Sequence, residues 1–349
     1  MNSIKLSDTV GIKSENLQLT KFIASIMVIL SHSFILSTAS NEKEWFSILT
    51  NDQLTMGSFA VAVFFVCSGY LIPMSLEKSK TAFRFFEARL IRLVPSLFFI
   101  CLIVMLLCGF ISDLSLPEYY TSLETWGYLR NAVFLKQLDL PGVFTHNIYA
   151  STINGPLWTL RLEVICYILC FIAYKLKFFD KKLFAITIPL VFGASYFLWT
   201  QISIAPTLRE ILRPVLLFYI GMGFWIYREH IRLHFTGFGI ALLACVLLFH
   251  YGYGQAAMFL CFPYICIMLW FGLPQCPKKL GILGNYSYVI YLWAFPIQQA
   301  VIHFHGGAMD SYKNFFLSTA ITILISIPTY HFVEKRFVTW YKRVFHAGR

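Results

Sequence analysis

The chain has 349 residues, of which 58% are hydrophobic and only 13% charged, with a formal net charge of +11. Soluble domains average about 25% charged residues, so this composition argues against a water-facing globular enzyme, and disordered, collagen-like and disulfide-scaffold chains fail on it too. A cationic excess carried by so few charges has to sit in short stretches between long apolar runs. That pattern belongs to a polytopic helical membrane protein, whereas a nucleic-acid binder of similar charge would not be this apolar.

Windows of about 20 apolar residues predict an all-α chain with ten spanning helices, at 22–39, 56–76, 93–112, 156–174, 183–200, 211–227, 236–250, 256–273, 285–303 and 315–333, forming one transmembrane domain over 1–349 with no appended soluble domain. The first run is read as a span and not a signal peptide, because its leader carries acidic residues and a histidine sits inside it. The seventh is short, which suits a less tilted or partly re-entrant helix. With a cytoplasmic N-terminus, the cytoplasmic segments hold 21 Lys and Arg residues and the opposite segments five. This asymmetry puts both termini inside. The longest outer segment, 113–154, carries Trp126, Tyr128, Pro141, Gly142 and His146, and a segment of that length is usually functional. No internal repeat is visible, which counts against transporters built from paired halves. Eight of the nine cysteines fall in apolar runs and no C-x-x-C occurs, so neither a zinc site nor a disulfide framework is expected; GxGxxG, Walker and HExxH motifs are absent.

Titratable groups inside a bilayer are costly and are functional candidates by default. Here they are His32, Arg161, Glu163, Arg213, His250 and His331. Lys21 and His32 are eleven residues apart, about three turns plus 20°, so they share one helix face about 16 Å apart. The lysine then sits at the cytoplasmic rim and the histidine near mid-membrane, a geometry suited to an anionic ligand with a long arm. Arg89 and Arg92, three apart just before the third span, are neighbours on one face and can clamp phosphates bidentately; the plainer reading is ordinary topogenic anchoring.

These residues carry a resemblance. The sequence resembles the membrane-bound acyltransferase-3 family, which O-acylates cell-surface glycans. Lys21-x10-His32 is similar to that family's R/K-x10-H motif, Phe64–Tyr70 (FFVCSGY) to its FFxxSG(F/Y), Arg89-Leu90-Ile91-Arg92 to its R-x-x-R, Asn154–Glu163 (NGPLWTLRLE) to its (N)GPLW(S/T)LxxE, Gly284–Trp293 to its G-x-x-SYxxYLW, and Val333-Glu334-Lys335 to its closing VEKPF. The matches run in family order over nearly the whole chain. Two departures stand out: Ala294 where the family often has a histidine, and Arg336 in place of the proline of the last motif, a change expected to alter only local turn geometry.

The resemblance implies a cytoplasmic acyl-CoA donor, ordinarily acetyl-CoA, a glycan or lipid-linked glycan acceptor at the outer face, no metal, and a multi-pass protein of a bacterial inner membrane acting on a polysaccharide such as an O-antigen. His32 is then the general base for direct transfer or the nucleophile that holds an acyl-imidazole. Glu163 orients or charge-compensates the site; Lys21, Arg89 and Arg92 hold the donor; Arg161, Trp158 and Ser68 are assigned to the acceptor, although Ser68 and Gly69 first of all permit close helix packing. Arg161 and Glu163, two residues apart, face different sides of their helix. Tyr286, Tyr288 and Tyr291 are expected to pack at the bilayer interface. A transporter or flippase of a lipid-linked glycan is the alternative that ten spans and buried charges also fit.

Overall fold

A computed structural model describes residues 3–41, 43–79, 81–137, 139–200 and 206–346; Lys80 and Arg349 of the basic set lie outside these residues. A helix stands at each of the ten positions: α1 (Glu15–Thr38), α2 (Met56–Lys78), α3 (Ala82–Cys108), α4 (Leu157–Lys175), α5 (Lys181–Thr200), α6 (Pro206–Ile226), α7 (Phe235–His250), α8 (Gly254–Gly272), α9 (Ser287–Phe304) and α10 (Ser311–Thr329). A further helix, α11 (Arg336–His346), follows the last of them. Among the described residues eight helices are long and apolar enough to cross a membrane, which makes this a multi-pass membrane protein. The two that miss the criterion do so for different reasons. The α6 stretch holds Arg209, Glu210 and Arg213, and α7, at 16 residues, is about 24 Å long against about 30 Å of hydrocarbon.

Several helices start well before their apolar windows. The first begins at Glu15 and the third at Ala82, because backbone hydrogen bonding continues through polar residues that a hydrophobicity window discards. Lys21 therefore lies inside α1, and Arg84, Arg89 and Arg92 inside α3.

The chain divides into two compact units. The first is Met1–Lys21, Phe59–Ala82 and Leu162–Ile282. In it α2 and α6 meet at glycines: a Cβ on Gly69 would lie 2.2 Å from the Phe218 carbonyl oxygen, and one on Gly221 2.7 Å from that of Val66. Apolar helices gain little by touching in lipid, so backbone approach through small residues is what binds such a pair. At one end of this unit several connecting segments are gathered. Ile4–Lys5 pairs antiparallel with Arg232–Leu233, Lys181 Nζ meets Glu229 at 2.6 Å and Arg228 meets Glu77 at 3.4 Å, and Asn16 Nδ2 donates to the Pro274 carbonyl at 3.0 Å.

The second unit is Phe22–Ser58, Phe83–Arg161 and Leu283–Arg349. Its centre is α9, which is buried on nearly every side from Ser287 to Gln299. The segment 113–154 is folded onto α3, not loose. Ser115 and Glu118 form a capping box that starts a short helix, Leu116–Thr121. The Tyr119 hydroxyl donates to the Met105 carbonyl at 2.8 Å, and Gly142, at φ +67°, turns the chain so that its carbonyl accepts the Asp113 N–H at 2.9 Å.

Gly69→Ala should lower stability by about 1–3 kcal/mol, the usual cost of overpacking, because its methyl meets rigid backbone. Gly193→Ala in α5, with nothing within 4 Å of the added Cβ, should be tolerated. Thermal unfolding of both variants in one detergent checks the contrast; equal melting temperatures would mean that α2 and α6 do not touch at Gly69.

Candidate active site

His32 sits in the unbroken run of α1, its ring set edge-on to Phe295 of α9 at 5.3 Å between centroids and an interplanar angle of 80°. Its Nδ1 is closed off from solvent and makes no hydrogen bond. Phe295 also meets Tyr149 edge-on at 6.4 Å, and a Cβ on Gly155 would lie 3.3 Å from its ring. The glycine of the Asn154-Gly155-Pro156 turn thus lets the backbone lie directly on the phenyl ring that faces His32.

Amides fasten these parts. Gln298 Nε2, one turn beyond Phe295, donates to the Ile29 carbonyl at 2.8 Å and to Ser33 Oγ at 2.7 Å, gripping α1 on both sides of His32. Gln299 Nε2 donates to the carbonyls of Tyr149 (2.7 Å) and Thr152 (2.9 Å). Asn147 Nδ2 donates back to the Gln299 side-chain oxygen at 2.8 Å, and Asn154 Nδ2 to the Leu292 carbonyl at 2.9 Å. The side-chain oxygens of Asn147, Asn154 and Gln298 are buried and accept no hydrogen bond. A buried acceptor left open costs about 1–3 kcal/mol, and with the His32 nitrogen four buried polar atoms in the segments around Phe295 are in this condition.

These amides do not titrate, so they stand outside the groups that a bilayer span marks as functional candidates. The signal was present as Gln298-Gln299 inside an apolar run. Three tyrosines join the motifs to one another. Tyr291 is buried, with its hydroxyl 2.5 Å from Thr159 Oγ1 and donating to the Pro156 carbonyl at 2.9 Å; Tyr288 donates to the Leu93 carbonyl at 2.8 Å; Tyr286 lies 3.2 Å from His331 Nε2. A phenol buried among apolar groups has to find a partner, as Tyr291 does.

Arg89 lies over the Phe85 ring at 5.6 Å, while Arg92 is exposed on the same helix. Glu87, two residues before Arg89, accepts the Tyr341 hydroxyl at 2.6 Å. Lys21 is half-buried. The predicted catalytic pair divides between the units, His32 in the second and Glu163 in the first. Glu163 Oε1 accepts the Ser68 hydroxyl at 2.8 Å and the Tyr167 hydroxyl at 2.5 Å, which unites the serine of the Phe64–Tyr70 segment with the acid of the Asn154–Glu163 segment. Tyr167, one turn after Glu163, was not singled out from the sequence. Arg161 and Trp158 are half-buried, and Arg161 forms no ion pair among the described residues. Arg213 Nε donates to Gln255 at 3.1 Å, and His250 is exposed. At the end of the last motif, the Arg336 N–H donates to the Val333 carbonyl as a π-helical turn, Tyr330–Lys335, passes into α11. Proline could not make that bond, so here the chain continues as helix and does not turn.

A second feature missed in the sequence is Glu44. In the string Asn41-Glu42-Lys43-Glu44 it reads as solvated charge, yet it is 0% exposed. Its Oε1 accepts the Met56 N–H at 2.8 Å, Ser31 supplies a further hydrogen bond, and Oε2 has none. The clasp joins the start of α2 to the residue preceding His32.

Against this geometry, the acyltransferase domain family matches residues 14–331. The chain therefore belongs to the acyltransferase-3 family, and it is an acyltransferase; the transporter reading falls away. It is similar to a protein of Shigella phage Sf6 named O-acetyl transferase, 30% identical over 340 residues that cover 94% of this chain and 97% of that protein. No solved structure matches it.

Burial pushes the Glu44 carboxyl above its ordinary value of 4.5, and the Met56 N–H and Ser31 bonds only partly oppose this. A pKa raised on folding means that the native state holds the proton more tightly, so this contribution is full below the unfolded value and lost as pH rises through the folded one. The melting temperature of the wild type should therefore fall relative to that of Glu44→Gln as pH is raised from 4 to 8. A difference independent of pH would show an unperturbed carboxyl.

Proposed function

We propose that this acyltransferase moves an acetyl group from cytoplasmic acetyl-CoA to a hydroxyl of a cell-surface or lipid-linked polysaccharide, such as an O-antigen, at the outer face of a bacterial inner membrane, as one ten-span domain with both termini inside. His32 is the general base. As the acceptor oxygen attacks the thioester carbonyl, the imidazole takes the hydroxyl proton; the new C–O bond forms, the C–S bond breaks, and the departing CoA thiolate recovers that proton. Arg89, Arg92 and Lys21 hold the donor phosphates at the rim, leaving the pantetheine arm to run about 16 Å along α1. Glu163, bonded to Ser68 and Tyr167, orients the site, and Trp158, Arg161 and Ser68 face the acceptor.

The observation that carries the reading is the His32 Nδ1, buried and without a hydrogen bond, on the stretch of α1 that Gln298 grips. A general base has to be within hydrogen-bond reach of the proton it removes and not already committed elsewhere. The O-acetyl transferase name of the phage relative supports acetyl as the group and oxygen as its acceptor. The inside set of segments is supported by the first unit, where the segments around residues 4, 77, 181 and 229 join at one end.

In sealed inside-out vesicles, labelled acetyl-CoA added outside should acetylate lumenal acceptor with the wild type, and His32→Ala should abolish transfer while expression and folding persist. Retained transfer in that variant would remove His32 from the chemistry, and transfer only from the opposite side would reverse the orientation. Arg89→Ala or Arg92→Ala should weaken acetyl-CoA binding by about 1.5–3 kcal/mol, the worth of a hydrogen bond to a charged group. Titration calorimetry checks this, and equal affinity would return the pair to topogenic anchoring.

A further inference from the structure

The last membrane helix does not stop at the membrane. From Ser311 through the π-helical turn Tyr330–Lys335 to His346 the chain is helical without a break. At 1.5 Å per residue this is about 54 Å, far more than the roughly 30 Å of hydrocarbon, so its final turns lie at the membrane surface or beyond. There the helix is two-faced. Phe337, Tyr341 and Phe345 are ranked on one side, with Tyr341 and Phe345 stacked at 4.5 Å, and the Tyr341 hydroxyl anchors that side to Glu87 of α3 at 2.6 Å. On the other side His331, Lys335, Arg336, Thr339, Trp340 and Arg343 line an open cavity of about 510 Å³.

We propose that this cavity is a binding site for the phosphate of acidic phospholipid headgroups. Lys335, Arg336 and Arg343 are exposed, and none forms an ion pair among the described residues. The acid that faces α11 from α3, Glu87, is already bonded to Tyr341, and Glu334 is buried. Three cations without a counter-charge on one helix face attract an anion, and the position selects which. They begin within two turns of the apolar stretch, where headgroup phosphates lie, and long basic side chains reach back to that level. Trp340, 51% exposed at the edge of the same cavity, is the residue type that settles among headgroups. Basic residues at such a surface each contribute about fivefold to binding of anionic lipid. The proposal does not rest on the acyl-transfer reading.

The test uses the full chain in nanodiscs of phosphatidylcholine with a minor fraction of spin-labelled phosphatidylglycerol or phosphatidylcholine, and reads the selectivity of the motionally restricted lipid. The wild type should favour phosphatidylglycerol severalfold, and less so at high salt. Lys335→Gln/Arg336→Gln/Arg343→Gln should bring the ratio toward one, while Lys278→Gln/Lys279→Gln/Lys313→Gln, which removes the same charge elsewhere, should leave it high. A wild type without selectivity, an unchanged triple variant, or equal loss in the control would overturn the proposal. Displacement of phosphatidylglycerol from the wild type by adenosine 3′,5′-bisphosphate would overturn it as well, since the cavity would then take a soluble nucleotide phosphate.

Discussion

Two apolar helices in a bilayer have little reason to prefer one register over another, because lipid chains are as apolar as leucine. The second unit resolves this with Gln298. Its amide nitrogen spans the Ile29 carbonyl and the Ser33 hydroxyl, so a slip of α9 along α1 would strand a buried donor. His32 lies between those two contact points, and Phe295, one turn earlier on α9, presses its ring against the imidazole. The position of the histidine is therefore set by a polar lock that works together with the packing of Ile29 and Leu36 against α9.

The adjacent residue extends the same logic to the chain that enters α4. Gln299 holds the Tyr149 and Thr152 carbonyls, Asn147 and Asn154 return hydrogen bonds to α9, and Tyr291 closes on Thr159 and the Pro156 carbonyl. Irregular backbone at this depth is tolerated only where protein groups satisfy it, and here the amides of α9 do so. Each amide has two hydrogen-bonding ends, and the network uses the donors while leaving the acceptors of Asn147, Asn154 and Gln298 open. Rigidity and an unfilled polar surface thus come from the same side chains, which is the preorganisation a transfer site needs. In the first unit Glu163 has the opposite character, with one oxygen already shared by Ser68 and Tyr167.

Much of this was legible in the residue order. Apolar windows located the eight helices that are long and apolar enough to cross a membrane, since burial in lipid imposes a length and a composition that a single sequence displays. Lys21 and His32 both fall within α1, as their spacing in the sequence suggests. What stayed hidden shares one cause. The hydrogen bonds of Tyr288, Tyr291 and Glu44 are not legible in the residue order, because the partner of each lies elsewhere in the chain: Leu93 for Tyr288, Thr159 for Tyr291 and Met56 for Glu44. Arg336 was expected to alter a turn, and instead its N–H carries the helix onward.

What the sequence determined by itself is therefore what depends on neighbours along the chain: membrane class, helix positions, the basic asymmetry, the family motifs and the shared face of Lys21 and His32. Tertiary structure alone decided which buried polar atoms are satisfied. Gln298, Asn147 and Asn154 are ordinary amides as letters, and only the meeting of α1, α9 and the segment before α4 closes their donors and leaves their acceptors open. The physical reason is that hydrogen bonding is a property of pairs, and the costliest pairs here join residues more than 100 positions apart.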